Sequence, residues 1–496
     1  MATSATEPDL LIPLGPPAAA SASNLSDWLA RLVNQPSRFV FVTILFAGLA
    51  IALLTPPLKG ADERDHFTRA YQLASGDFSV HKGGARYGAL LPSGYEKKIA
   101  QLSNTVYLNH DHTAFLHLLG QPPATGKPTF TQEGTVASYG PGAYVAYVPV
   151  IAIGRALGLS LAMLIYLARI AGLAAYAWLM SLAVRRAPTH RWIFVAAALL
   201  PEALNQASTV SADGMTMALT AVVIANALRL SRDEDIASRR LVVESLFAAL
   251  FLALAKPPYV AFILLFAIPA WTRRRQLLAP LSALIVGSLA VSALWVGYQR
   301  THSASLDLPG LTLFSGSHLE YAYRNIDITK QTHFVLTRPW QLSTVIWHTI
   351  EYQGLALPKQ MVGLLAQYQI PSLVVLLAVV VLAASCLVPD GPPRFRLHVV
   401  DRLGLLVLSA VVGLAICVII YVTANALHAP RIDQLTPRYF LPLAAPTLVG
   451  LLPNVNYSRI SYGAVAKYFV QVGIVLILVF TIVGLTHSYY GPSDLV

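Results

Sequence analysis

Charged residues are scarce in this chain of 496 residues. Only 12% of the residues are charged and 55% are hydrophobic, and the mean hydropathy is +0.58. A soluble protein of this length needs a larger polar share to cover its surface. The composition therefore excludes a soluble globular protein and predicts an all-α polytopic membrane protein.

Cysteine is almost absent. The two cysteines, Cys386 and Cys417, both fall inside apolar runs. Their number and position exclude a disulfide framework and a thiolate metal site. We expect both to be small core residues.

Long basic tracts with interleaved aromatic residues are also lacking. Lysine and arginine number 35 against 24 acidic residues, and the basic residues fall in short clusters. This pattern favours basic cytoplasmic loops with membrane lipids as partners, and no nucleic acid.

The N-terminal segment has neither an early basic region nor an apolar stretch, so no signal peptide is predicted. Residues 1–23 are rich in Pro, Ala and Ser and predict a cytoplasmic tail. Apolar residues at helical spacing between Leu25 and Val33 then indicate a short amphipathic helix in the membrane plane. Residues 1–38 form this predicted tail region, and residues 39–496 form the predicted transmembrane domain.

Apolar runs predict about eleven transmembrane helices, within a range of eleven to thirteen. The predicted spans are 39–54, 160–184, 192–206, 209–230, 241–255, 259–271, 277–298, 371–387, 403–424, 439–452 and 468–485. The basic clusters alternate correctly between the two sides only if the chain crosses once between residues 140 and 184. We therefore treat the short run 139–157, which Pro149 interrupts, as juxtamembrane, although a crossing stays open. The N-terminus is then cytoplasmic and the C-terminus external.

Two polar segments contain no run long enough to cross a membrane. Residues 55–159 and 299–370 are therefore predicted to be large external, periplasmic loops that carry juxtamembrane helices. In the second loop, Trp340, Ile346, Trp347 and Ile350 indicate an amphipathic helix on the membrane surface, with ordinary packing as the alternative. Pro339 suits the start of that helix.

Ionisable residues collect at the external ends of the predicted spans. They are Asp62, Glu63, His66, Asp213, Lys256, His428, Arg431 and Arg438. Such groups are costly near a bilayer unless they face water, a partner or a ligand, so they predict a shared external cavity. A carboxylate there can take a proton from a hydroxyl, while Lys and Arg stabilise a departing phosphate. This combination predicts transfer from a lipid-linked phosphate donor.

The acidic cluster has a structural alternative. Asp62 precedes an apolar-faced helical pattern, so it could serve as a helix N-cap with Asp65 at the third position. The two roles are compatible, because a helix N-terminus favours phosphate. His66 taken alone is typical of a helix surface.

The cations and the second histidine cluster also have alternatives. Arg169 lies inside a predicted span and needs a partner, either structural or functional. Lys256 and Arg438 could be cations that extend to the membrane interface. The group His110 to His112 is more typical of a solvated loop than of a metal site.

Six segments in order carry a resemblance. They are DERDHFTRAYQLASGDF, YGPGAYVAYVPVIAIGRALGLS, YLARIAGL, SADGMT, LALAKPPY and PRYFLPL. The chain also resembles the GT-C superfamily of integral-membrane glycosyltransferases, which includes protein O-mannosyltransferases and lipid A aminoarabinose transferases. This wider resemblance is carried by the first span, the acidic pair followed by a histidine and an apolar-faced helix, the large external loop and the many further spans. The six segments look most similar to a bacterial membrane-protein branch described only as a domain of unknown function.

The resemblance implies a GT-C-like helix bundle and roles for the external residues. Asp62 is the expected catalytic base, with Glu63 beside it. The residues expected to bind the donor phosphate are Lys256, Arg438 and Arg431, and those expected to line the cavity are His66, Arg169, Asp213 and His428. The second external turn reads SADG rather than a paired Asp-x-Asp, so no metal ligand is assigned and a divalent metal stays an open option.

The resemblance also implies a function. We expect a glycosyltransferase that uses a polyprenyl-phosphate-linked hexose or pentose at the periplasmic face of a bacterial inner membrane. Its acceptor would be a glycan, a lipid or a protein of the cell envelope. Two alternatives stay open: a transporter or flippase of a lipid-linked glycan, and a non-enzymatic scaffold of envelope polysaccharide assembly.

Overall fold

The computed structural model describes residues 34–83, 86–108, 117–232, 239–306, 326–354, 356–366, 368–388, 390, 397–433, 435–452 and 463–490. The predicted N-terminal tail, the in-plane helix that follows it and the His110 to His112 group lie outside the described residues.

The described chain is mostly helical. Its helices are α1 (Pro36–Leu54), α2 (Glu63–Leu73), α3 (Gly94–Leu108), α4 (Tyr147–Ala156), α5 (Leu161–Arg186), α6 (Arg191–Ala198), α7 (Pro201–Ser208), α8 (Ala212–Arg232), α9 (Arg239–Ala253), α10 (Ala267–Thr272), α11 (Arg274–Thr301), α12 (Ile328–Thr337), α13 (Pro339–Gln353), α14 (Ala356–Gly363), α15 (Ser372–Ser385), α16 (Val399–Ala424), α17 (Leu441–Leu451) and α18 (Gly463–Tyr490). Tighter 3-10 turns occupy Gly134–Ser138, Pro141–Tyr144, Pro257–Phe266 and Pro437–Phe440.

Six helices of the described chain are long and apolar enough to cross a membrane. They are α1, α5, α8, α11, α16 and α18. These helices coincide with six of the predicted spans and confirm a multi-pass membrane protein. The count of eleven stays a prediction, because the other five predicted spans contain shorter helices.

Local features of the sequence explain why some apolar runs form short helices rather than one long helix. The predicted span 192–206 consists of α6 and α7, and Pro201 begins the second of them after a break at Leu199 and Leu200. The ten residues of α4 are too few to cross a bilayer alone. That length agrees with a juxtamembrane position for residues 139–157.

The helix α8 is the centre of the bundle. In its most apolar stretch, 89% of the residues are buried inside the protein, compared with 22% for the corresponding stretch of α11. A helix that is apolar on all sides and buried belongs to the core, whereas α11 offers most of its apolar surface to the surroundings. Cys386 is buried and Cys417 is half-buried, and neither forms a disulfide.

The two segments predicted to be external share a small sheet that the sequence did not predict. Its strands are β1 (His81–Gly83), β2 (Arg86–Pro92), β3 (Pro128–Gln132) and β4 (Ala304–Leu306), in the order β3-β2-β1-β4. The β1–β2 and β2–β3 pairs are antiparallel, and β1–β4 is parallel with His81 opposite Ala304. A separate two-stranded hairpin joins β5 (Leu364–Leu365) to β6 (Tyr368–Gln369). The prediction of helices alone was therefore incomplete, and the two predicted loops are joined by β4.

The predicted surface helix of the second external segment is α13. It begins at Pro339, and the side chains of Trp340 and Trp347 are each 65% exposed. Ile346 packs against the core instead. Contact of this aromatic face with a membrane stays a prediction.

Candidate active site

Four charged side chains from four separate elements meet in one network. Asp62 directly precedes α2, Asp213 lies in the first turn of α8, Lys256 follows α9, and Arg438 lies in the turn Pro437–Phe440 before α17. Arg438 Nε donates to Asp213 Oδ2 at 3.2 Å, and its Nη2 donates to Asp62 Oδ2. Lys256 Nζ donates to Asp213 Oδ1. The structure thus brings together four of the predicted site residues, with two cations balancing two carboxylates.

The network is enclosed at Asp213 and open at Asp62. The side chains of Asp213 and Lys256 are each 5% exposed, that of Arg438 is 13% exposed, and that of Asp62 is 53% exposed. Lys256 and Arg438 therefore do not extend to an interface, and that alternative is wrong. Asp62 is the member that an incoming molecule would meet.

Both cations stay protonated although they are buried. Burial lowers the pKa of Lys256, but the Asp213 carboxylate beside it raises that pKa further, so the net shift is upward. Burial also lowers the pKa of Arg438, and Tyr439, Asp62 and Asp213 outweigh that effect. The charges of the network are therefore stabilised by their mutual contacts.

Aromatic rings flank the cations. Lys256 Nζ lies 4.3 Å from the ring centroid of Tyr439 and 5.1 Å from that of Tyr139. Tyr259 Oη in turn donates to the backbone carbonyl of Tyr439 at 2.5 Å. The ring faces attract the ammonium and limit its movement. Sequence reasoning did not assign these tyrosines, although Tyr439 follows Arg438 directly and Tyr139 begins the YGPG segment.

The YGPG segment reaches Lys256 because its glycines dock on the end of α9. Gly142 N donates to Leu254 O at 3.0 Å. A Cβ atom at Gly140 would lie 2.2 Å from Leu254 O, and one at Gly142 would lie 2.1 Å from Phe251 O. Only glycine permits this approach of two backbones. The docking holds Tyr139 against Lys256.

Asp62 stands at the N-cap position of α2 but does not cap it. Its side chain makes no hydrogen bond to the helix, and its φ is 55°. Leu58, four residues earlier, also has a positive φ of 65°. The capping alternative is therefore wrong for the Asp62 side chain, which reaches Arg438 instead. Left-handed backbone at a residue other than glycine is strained and is found at functional sites.

Glu63 anchors the loop that carries Asp62. Its Oε1 accepts from Arg169 Nε at 2.7 Å and from Val210 N at 3.0 Å. Its Oε2 accepts from Arg169 Nη2 at 2.6 Å and from Gly60 N at 3.1 Å. Glu63 has no exposed surface. This geometry does not support the predicted catalytic role of Glu63 and makes it a positioning residue.

Arg169 has a structural partner in Glu63 and also closes the end of α1. Its guanidinium donates to the carbonyl oxygens of Ala52 at 2.7 Å, Thr55 at 2.5 Å and Pro56 at 2.9 Å. The last carbonyls of a helix lack partners within the helix, and Arg169 supplies one to Ala52 and to the two residues that follow α1. The residue lies behind the network rather than inside the predicted cavity.

His66 is buried beside the network. It is 2% exposed, and its Nδ1 forms a hydrogen bond with Tyr144 Oη at 2.8 Å. Burial, and then the charge of Lys256, lower the pKa of His66 to about 4, so the ring is neutral at neutral pH. The helix-surface alternative for His66 is wrong.

A second carboxyl group lies behind Asp213. Ser211 Oγ accepts from Asp213 N at 3.1 Å and donates to Gln206 Oε1 at 2.7 Å. Gln206 Nε2 donates to Glu202 Oε1 at 2.7 Å, and Glu202 is 1% exposed. This chain of hydrogen bonds fixes the start of α8. Sequence reasoning missed Glu202, although an acid inside an apolar run was a usable signal.

Two predicted residues are not brought to the network. Arg431 is bound to Asp433 at 2.6 Å, and its guanidinium stacks 3.6 Å from the centroid of the Tyr352 ring. His428 packs against Phe334 with ring centroids 4.4 Å apart and the ring planes tilted by 50°. The structure therefore does not support a phosphate contact for Arg431 or a place in this cavity for His428.

The network does not fit a metal ion at the SADG turn. Both oxygens of Asp213 are bound to cationic side chains. No group of three or more His, Cys, Asp or Glu side chains within the described ranges is arranged to hold a metal ion.

An apolar groove lies between α11 and the end of α9. Its volume is about 380 Å³, and it is lined by Phe78, Leu254, Val291, Leu294, Trp295 and Tyr298. Leu254 precedes Lys256 by two residues, and Trp295 Nε1 donates to the carbonyl of Ser138, next to Tyr139, at 3.2 Å. The groove is therefore bounded by residues that neighbour Lys256 and Tyr139 in the chain.

Comparisons with known proteins place the chain in a family. No curated protein matches it. A solved structure similar to it is that of ArnT from Cupriavidus metallidurans bound to undecaprenyl phosphate, with 14% identity, coverage of 91% of this chain and 77% of that chain, and a TM-score of 0.40. The profile of the predicted membrane protein family DUF2142 matches residues 45–447. That match covers most of the chain, including α2, α8 and every member of the charged network. The chain therefore belongs to the DUF2142 family of predicted membrane proteins.

Proposed function

We propose that the protein is a membrane glycosyltransferase that takes its sugar from a polyprenyl-phosphate-linked donor at the periplasmic face of a bacterial inner membrane. One observation carries this proposal. The half-exposed carboxylate of Asp62 lies at the mouth of a network that holds two buried cations, Lys256 and Arg438. A proton acceptor and two anion-stabilising groups are the parts that transfer from a phosphate donor needs.

The proposed reaction divides between these residues. The acceptor hydroxyl gives its proton to the Asp62 carboxylate, and its oxygen forms a bond to the anomeric carbon of the sugar. The bond between that carbon and the phosphate oxygen breaks, and the electron pair stays on the departing lipid phosphate. Lys256 and Arg438 stabilise the charge that develops there. They fill the role that a divalent ion would otherwise take.

We propose that the apolar groove holds the lipid tail of the donor. The groove is formed by α11 together with Phe78 and Leu254, and Leu254 precedes Lys256 by two residues. A polyprenyl chain is apolar along its length, so its burial there is favourable while its phosphate meets the cations. The sugar then points toward Asp62 and the external segments.

Transfer by reconstituted protein tests the function. Full-length protein in proteoliposomes receives undecaprenyl-phosphate-linked hexose or pentose together with glycan, lipid or protein acceptor fractions, and new glycosidic bonds are measured. Asp62→Asn is expected to lower the rate by about 10²- to 10⁴-fold, because it removes the proton acceptor.

Asp433→Asn is the matched control, because it breaks an exposed Arg–Asp pair away from the network. Its rate is expected to equal that of the wild type. Full activity of Asp62→Asn would contradict the proposed base. Movement of a lipid-linked glycan across the bilayer without any new bond would favour the transporter instead.

A further inference from the structure

Arg438 binds two carboxylates through different nitrogen atoms, and the two contacts are unequal. Its Nε is bound to Asp213, whose side chain is 5% exposed, and its Nη2 is bound to Asp62, whose side chain is 53% exposed. The inner contact holds the guanidinium in place. The outer contact puts an anion on the face of Arg438 that is open to a ligand.

We propose that Asp62 occupies the phosphate position on Arg438 until the donor arrives, and that the donor phosphate displaces it. This inference rests on the proposed function and adds an order of events to it. Donor binding comes first, and the displaced Asp62 carboxylate then becomes available to the acceptor.

Charge balance supports the exchange. The network holds two cations and two carboxylates, so a further anion would leave an uncompensated charge in a buried place. A phosphodiester carries one negative charge, as does the Asp62 carboxylate. Exchange of one for the other keeps Lys256, Arg438 and Asp213 balanced.

The exchange also changes the chemistry of Asp62. While Asp62 Oδ2 accepts from Arg438 Nη2, that oxygen is occupied and does not face the acceptor hydroxyl. Release from Arg438 frees it. The donor therefore switches on the base that its own transfer needs.

The backbone around Asp62 permits the movement. Glu63 stays fixed by Arg169, Gly60 N and Val210 N, so the loop keeps its position while the Asp62 side chain turns. Only the outer ion pair is broken. The released Asp62 carboxylate is half-exposed and meets water, while Arg438 keeps its contact with Asp213.

Binding of undecaprenyl phosphate tests the exchange without any transfer step. Its affinity is measured for the full-length wild-type protein in nanodiscs and for Asp62→Asn and Asp62→Ser. Both variants remove the competing carboxylate, so both are expected to bind about fivefold more tightly. Melting curves check that each variant is folded. Two different substitutions are used so that an effect specific to one new side chain is recognised.

Asp65→Asn is the matched control, because it removes a carboxylate three residues further along the chain, in the first turn of α2. Its affinity is expected to equal that of the wild type. Wild-type affinity in both Asp62 variants, or equal tightening in the Asp65 variant, would overturn the exchange alone. Absence of lipid phosphate binding in every protein would instead contradict the proposed function.

Discussion

At the scale of single residues, the buried pair of Glu63 and Arg169 determines where Asp62 stands. Both side chains are fully buried and joined by two hydrogen bonds of 2.6 and 2.7 Å. The sequence predicted that Arg169 needs a partner, because a charge inside an apolar helix is costly. It could not identify Glu63 as that partner, because the two residues are 106 positions apart.

Removal of one partner of this pair is expected to destabilise the protein strongly. Glu63→Gln or Arg169→Ala leaves an uncompensated buried charge and should lower the free energy of unfolding by about 3–5 kcal/mol. Arg431→Ala breaks an exposed pair and should leave the free energy of unfolding nearly unchanged. Thermal or denaturant unfolding in detergent measures the stability of all these variants. Equal losses of stability in the buried-pair and exposed-pair variants would contradict the structural role of Glu63 and Arg169.

A second residue-scale feature is the carboxyl group of Glu133, which lies between β3 and the turn Gly134–Ser138. It has no exposed surface, and neither oxygen has a hydrogen-bond partner among the residues that the structure describes. Burial raises its pKa to about 8, although Arg69 opposes the shift. The group is therefore protonated in the folded protein at neutral pH and ionised in the unfolded chain.

The raised pKa of Glu133 predicts how the stability of the protein changes with pH. Between the unfolded value near 4.5 and the folded value of about 8, the folded state binds more protons, so the Glu133 contribution to stability falls as pH rises. Glu133→Gln imitates the protonated form and should remove that part of the decline. Its melting temperature should match the wild type near pH 4.5 and exceed it at pH 8.5. Glu96→Gln, at an exposed ion pair, is the control.

At the scale of secondary-structure elements, the sequence predicted what depends on local composition. The six long spans were predictable because length and apolarity are local properties. The sheet was not, because β4 has three residues and pairs with a strand far earlier in the chain. Arg431 was misplaced for a related reason. It is near Arg438 in sequence, but its own partners, Asp433 and Tyr352, direct it elsewhere.

The docking of the YGPG segment on α9 gives a prediction for that element. Gly142→Ala places a methyl group within about 2 Å of a backbone oxygen, so the segment must move and Tyr139 with it. We expect binding of undecaprenyl phosphate to weaken about tenfold or more, as for a loss of roughly 1.4 kcal/mol.

Gly287→Ala is the control for this test. A Cβ atom at Gly287 meets nothing within 4 Å, so its affinity should equal that of the wild type. Unchanged affinity in the Gly142 variant would show that the position of Tyr139 does not matter to the cations.

At the scale of the whole molecule, the charged network depends on the arrangement of the chain across the membrane. The basic clusters predicted that Asp62, Asp213, Lys256 and Arg438 lie on one side, and the structure brings these four together. The sequence could not show which cation meets which carboxylate, because those pairings depend on the packing of α2, α8, α9 and α17. The sidedness itself stays a prediction.

Cysteine labelling measures that sidedness. Lys330→Cys, on α12, should react with a membrane-impermeant maleimide in intact cells, whereas Arg240→Cys, at the start of α9, should react only after the cells are opened. Both positions are exposed, with side chains 73% and 83% accessible. The wild type, whose two cysteines are buried or half-buried, is the control. The reverse pattern would invert the topology and place the network in the cytoplasm.

The distance along the chain between Asp62 and Arg438 has a consequence for synthesis. Lys256 follows Asp213 by 43 residues, but Arg438 follows Asp62 by 376. At about 5–20 residues per second, the inner pair is available within roughly 2–9 s and the outer pair only after roughly 20–75 s. The nascent protein therefore has the partner of its inner carboxylate early, and its charged network is completed only when α17 arrives.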